Sequence, residues 1–91
     1  MKISKGTVSD AMIDSIREIQ EQSGRPVPDI DDDTCPLIHI DGFTSQNLIE
    51  VICLLEEKLG IDLPEGVFFD INDELTVKNL TQSVLDNISD E

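Results

Sequence analysis

The sequence predicts an all-α fold, a bundle of four helices, on three observations. Apolar residues recur at three- and four-residue spacing in three separate stretches, no stretch alternates with the period of a strand, and a glycine closes each of the first two stretches. No internal repeat competes with this reading. Only three aromatic residues occur, Phe43, Phe68 and Phe69, with no Trp or Tyr, so the core is expected to be aliphatic.

Thr7-Val8-Ser9-Asp10 has the form of a capping box, which sets a first helix from about Val8 to Gln22. Met12, Ile13, Ile16 and Ile19 take its inner face, and Asp14, Arg17, Glu18 and Glu21 the outer one. Gly24 supplies the stop, and Pro26 prevents continuation. From Arg25 to Phe43 the chain carries three prolines, the acidic run Asp31-Asp32-Asp33 and short apolar patches without helical periodicity. This is expected to be a long loop, tied to the core by Ile38, Ile40 and Phe43. Thr44 then caps a second helix to Leu59, with Leu48, Val51, Ile52, Leu55 and Leu59 as its buried stripe and Gly60 as its stop. After Pro64 the segment Glu65 to Ile71 is expected to hold one or two helical turns carrying Val67 and Phe68 inward. Thr76 caps a last helix with Val77, Leu80, Val84, Leu85 and Ile88 facing inward.

With 91 residues the chain is read as a single domain, 1–91, because two cores would each be too small to bury enough apolar surface. Six basic residues against twenty acidic ones leave a net charge of −14, which repels nucleic-acid phosphates and favours a protein partner with a basic patch. The same like charge makes a monomer the expected state. Cys35 and Cys53 form no C-x-x-C and have His39 alone to assist them, so free thiols are expected, with neither a zinc nor a redox site. The opening residues show no apolar signal region and no apolar run has the length of a membrane span, so a soluble, cytoplasmic protein is expected. Asp29 to Thr34 invites comparison with a calcium loop, but Thr34 stands where the loop needs glycine and Ile40 where it needs a bidentate Glu. His39 beside Cys35 is weak support for a nucleophile, and no enzyme is expected.

Ser45 stands at the entrance of the second helix, where unpaired backbone N–H groups and the positive end of the dipole favour a phosphate ester. Read alone, its spacing favours an ordinary first-turn residue. The stretch Gly42-Phe43-Thr44-Ser45-Gln46-Asn47-Leu48, continuing to Leu55-Glu56-Glu57-Lys58-Leu59 and then Leu63-Pro64, resembles the acyl carrier protein family. Carriers of that family set a modifiable serine in an Asp-Ser-Leu-like motif, follow it with an acidic helix ending in a Leu-Glu-Glu pattern, and then a hydrophobic-Pro pair. Counting back from the later positions lands on Ser45, although Thr44 and Gln46 depart from the usual neighbours of the serine.

The resemblance implies a four-helix acyl-carrier-like bundle with three longer helices, one short third helix and a long first loop. It implies covalent 4′-phosphopantetheine on Ser45, placed there by a phosphopantetheinyl transferase, and a non-enzymatic role holding acyl groups as thioesters for enzymes of fatty-acid, polyketide or related acyl metabolism. It also implies that Gln46, Ile49, Glu50, Cys53, Glu56 and Glu57, which fall off the buried stripe, dock on basic patches of those enzymes. The unusual neighbours of Ser45 point to a specialised pathway. The alternative is a carrier-like acidic interaction module that never receives the arm; an acidic mimic of nucleic acid would account for the charge but not for the serine and its helix.

A compact body with this charge repels itself, so added salt or divalent cations should raise the melting temperature. A thermal melt insensitive to both would contradict this.

Overall fold

A computed structural model of the chain describes residues 3–64, 66–69 and 71–88. Among these residues there are four helices and no strand: α1 (Lys5–Gln22), α2 (Pro36–His39), α3 (Ser45–Leu59) and α4 (Val77–Ile88). The all-α reading holds. The position of the short helix does not: it is second in the chain, inside the long loop, rather than third.

α1 begins a turn earlier than Thr7 suggests. Ser4 is the N-cap, its hydroxyl accepting from the Thr7 N–H at 3.2 Å, and the Val8 N–H returns to the Ser4 carbonyl at 3.1 Å. Two hydroxyls three residues apart both qualify as caps; starting at Ser4 adds helical bonds and carries Val8 onto the fully buried face. The far end closes as the glycine pattern requires. Gly24 has φ 72°, its N–H bonds to the Glu21 carbonyl, and the Arg25 N–H bonds to the Gln20 carbonyl at 3.0 Å. These two bonds make a Schellman motif.

α1 is the helix against which both α3 and α4 pack. Val8, Met12, Ile16 and Ile19 meet Leu48, Val51, Ile52 and Leu55 of α3 and Val77, Leu80 and Val84 of α4 in one cluster. Ile13, Leu59, Leu85 and Ile88, expected on the inner faces, lie partly buried at its edge. Lys58 of α3 and Glu18 of α1 close the outer side of their interface at 3.1 Å.

The segment 25–43 is a loop for most of its length, but Pro36 at the first helical position starts the single turn α2. His39 is turned back so that its Nδ1 accepts the Cys35 N–H at 2.8 Å. The imidazole therefore serves the end of its own helix. Ile40 and Phe43 anchor the loop in the core as expected, whereas Ile38 is 73% exposed. On one helical turn adjacent side chains cannot share a face, and α2 turns Ile38 outward between the partly buried Leu37 and the buried Ile40.

The acidic run has a backbone task. Asp31 folds it into a turn, its carboxylate accepting from the Asp33 N–H and the Thr34 hydroxyl. The carbonyls of Asp32 and Thr34 then accept from Lys78 N–H at 3.0 Å and Val77 N–H at 2.9 Å. Together with Thr76, whose hydroxyl accepts from Asn79 N–H, they satisfy the first turn of α4.

Between Pro64 and Ile71 the expected helical turns are absent from the described residues, which exclude Glu65 and Asp70. Gly66–Phe69 form turns, with i to i+3 bonds from Val67 N–H to Pro64 and from Phe69 N–H to Gly66. The Val67 carbonyl accepts the Ser83 hydroxyl of α4, which ties the turn to that helix. Val67 and Phe68 are nonetheless buried in the core, as the sequence suggests, and Phe69 is half exposed.

Candidate functional site

The entrance of α3 is built from four consecutive residues, each with a distinct task. Gly42 takes φ 76°, a left-handed conformation that turns the chain toward the helix. Phe43 is 4% exposed and fixes the turn to the core, its N–H bonded to the Ile40 carbonyl. Thr44 is extended at φ −116°, ψ 172° and caps the helix. Ser45 is the first helical residue and is exposed.

The cap is reciprocal. The Asn47 N–H donates to the Thr44 hydroxyl at 3.4 Å, and the Asn47 side-chain oxygen accepts from the Thr44 N–H at 3.0 Å. Thr44 thus fills the capping position that the resemblance gives to an Asp, and Asn47 completes the box. Asn47 is the member that sequence reasoning missed; the signal was Thr-x-x-Asn, with an amide where a capping box ordinarily has Glu or Gln. Its Nδ2 also donates to Glu50 at 3.0 Å, which orders the first turn further.

No acidic residue occupies the first turn of α3, although the chain has twenty. The N–H groups of Ser45 and Gln46 have no hydrogen-bond partner among the described residues. An exposed hydroxyl, two open backbone donors and an unneutralised dipole are the features that hold a phosphodiester on a serine side chain, and the residues present fit such a group.

The predicted docking residues other than Glu56 lie on one exposed side of α3. Gln46, Glu50, Cys53 and Glu57 are exposed and follow one another at three- and four-residue intervals. Ile49 is 44% exposed, one turn beyond Ser45. Glu56 stands apart, partly buried, with its carboxylate accepting the Leu63 N–H at 2.8 Å. It ties the chain after Gly60 back to α3. Cys53 is an exposed free thiol, whereas Cys35 is buried. Among the described residues two further large apolar side chains escape the core, Ile38 of α2 and Phe69 of the turn before α4. Sequence reasoning placed Ile38 inside and assigned Phe69 no role; only the turn geometry reveals their exposure.

Among the described residues no helix is long and apolar enough to cross a membrane. Comparison with protein-family models gives a match to the phosphopantetheine attachment site family over residues 16–84. Comparison with curated proteins and with solved structures gives no significant match.

The capping box makes a separable energetic claim. Thr44→Ala and Asn47→Ala should each cost about 1 kcal/mol in urea unfolding, and the double variant less than their sum, because either change alone opens the same box. Full additivity would mean that the two side chains act independently.

Proposed function

The chain belongs to the phosphopantetheine attachment site family, whose domains carry 4′-phosphopantetheine covalently, and on that premise we propose that Ser45 is the attachment point and that the domain acts as an acyl carrier. The observation that carries the reading is the exposed Ser45 hydroxyl on a helix entrance with open donors and no acidic neighbour in its first turn. The bound arm supplies a terminal thiol on which an acyl group is held as a thioester.

The chain's own residues account for the remaining steps. Thr44 and Asn47 hold the entrance in one conformation, so the Ser45 hydroxyl is presented to a transferase with little ordering cost. The open Ser45 and Gln46 N–H groups would help hold a phosphate carried on Ser45, by stabilising its negative charge. Glu50 and Glu57 give the exposed side of α3 a negative field that steers basic partner surfaces, while Ile49 and Cys53 offer a small apolar contact after encounter. Nothing in this set is a nucleophile–base pair acting on a bound substrate; the role is to hold and present, and the chemistry belongs to the partners. The departures at Thr44 and Gln46 favour a specialised branch of acyl metabolism over the general fatty-acid pathway. A cytoplasmic monomer goes with this reading.

Incubation with coenzyme A and a broad-specificity phosphopantetheinyl transferase should raise the intact mass by one phosphopantetheine, with fragmentation locating it on Ser45. Ser45→Ala should take up none. Uptake by that variant would move the site elsewhere, and repeated failure of the unaltered protein would favour an unmodified acidic interaction module.

Reversing Glu50 and Glu57 to Lys should weaken association with a partner enzyme steeply at low salt and far less at high salt. Equal binding by the variant at low salt would make these charges a solvated face only. Glu56 is left intact in this test because its carboxylate supports the backbone at Leu63.

A further inference from the structure

Among the described residues Gln20 is the only fully buried side-chain amide, and both its nitrogen and its oxygen are hydrogen-bonded. Its Nε2 donates to the Pro26 carbonyl at 3.1 Å and to the Asp41 carbonyl at 3.2 Å. Its Oε1 accepts from Arg25 Nε at 3.1 Å and Arg25 Nη2 at 3.0 Å. One side chain near the end of α1 therefore fastens the start of the long loop and its last residues, four positions before Ser45. All four hydrogen-bonding positions of the amide are used.

Arg25 extends the fastening. It is one of six basic residues among twenty acidic ones, yet its guanidinium is held by a neutral amide oxygen and forms no salt bridge among the described residues. Its side chain lies directly over Gly42, where an added Cβ would stand 2.5 Å from Arg25 Cδ and 2.7 Å from Nε. The turn that aims the chain at Ser45 is thus gripped from two directions, at the Asp41 carbonyl by Gln20 and at Gly42 by Arg25.

We propose that Gln20 and Arg25 are positioning residues for the loading of Ser45, holding 41–43 in the conformation from which the α3 entrance is presented to the transferase. The proposal rests on the reading of Ser45 as the attachment point. If the clamp is released, the entrance samples conformations that a transferase cannot engage. Apparent affinity then falls by the fraction of molecules left competent, while the rate from the engaged complex is unchanged.

Three variants separate the contributions. Gln20→Met keeps the length of the side chain and removes all four bonds. Gln20→Glu keeps the acceptor for Arg25 but sets a carboxylate against the Pro26 and Asp41 carbonyls. Arg25→Lys keeps the charge and loses the fork that grips Oε1. Each is assayed with coenzyme A and transferase below its melting transition, alongside amide hydrogen exchange of the apo protein.

We expect all three to raise KM for the carrier, with Gln20→Met showing a rise of about tenfold, corresponding to a competent fraction near one tenth, at unaltered kcat. Exchange should accelerate at Phe43, Thr44 and Asn47, the residues of this segment whose N–H groups are hydrogen-bonded, and stay unchanged in α4. Unchanged KM in folded variants, a fall in kcat alone, or exchange accelerated throughout the chain would each overturn the proposal and leave the network a purely structural element. If the unaltered protein takes no arm, the reading of Ser45 fails; exchange confined to 42–47 would then still show that the clamp sets this segment, and uniform exchange would refute it as well.

Discussion

Everything in this molecule leans on the inner face of α1. α3 and α4 each make their principal helix–helix contacts with α1, so the stripe Val8, Met12, Ile16 and Ile19 is the surface on which the other two long helices find their places. Burying an aliphatic side chain of this size contributes about 1.5–3 kcal/mol, and the stripe as a whole is buried in one cluster with both helices. A core of Ile, Leu, Val and Met has little directional preference of its own. Direction comes from the polar groups at the edges of the stripe: Ser4 at one end, Gln20 at the other.

The loop between α1 and α3 is better understood as a connector with fixed terminals than as a spacer. Its first residues and its last are drawn together by Gln20, and its middle is spent on α4, whose opening N–H groups end on the Asp32 and Thr34 carbonyls. The three aspartates sit near the positive end of that helix, a placement that offsets some of their mutual repulsion. A long segment without regular structure is costly in chain entropy unless its polar backbone is satisfied, and this one satisfies another helix while being satisfied itself.

Much of this was legible in the sequence, and the limits of legibility are physical. The Thr44 cap, the Gly60 stop at φ 65° and the Thr76 cap can be read because each depends on a side chain, or on the lack of one, at a fixed position. The start of α1 is ambiguous by one turn because Ser4 and Thr7 both satisfy the rule. α2 is invisible because a single turn has no period to detect. The docking of the loop on α4 is invisible for a different reason: the acceptors are backbone carbonyls, which carry no residue signature. Gln20 looks like an interruption of the apolar stripe, and only its four partners explain why an amide is buried there. At the α3 entrance the serine can be picked out from sequence, but the support beneath it, from Asn47 to the Arg25 side chain over Gly42, depends on contacts between segments far apart in the chain.

Gly42 and Arg25 also constrain how this protein can change over its descent. A side chain at position 42 meets two obstacles, the left-handed backbone and the Arg25 side chain lying across it. Shortening Arg25 removes only one of them, and even then only Asn or Asp tolerates the backbone readily. The substitutions are therefore ordered: a lineage that loses the arginine first can later explore position 42, whereas one that begins at position 42 meets both penalties at once. Two residues seventeen apart in the chain should thus vary in sequence across related carriers, with arginine at the one predicting glycine at the other.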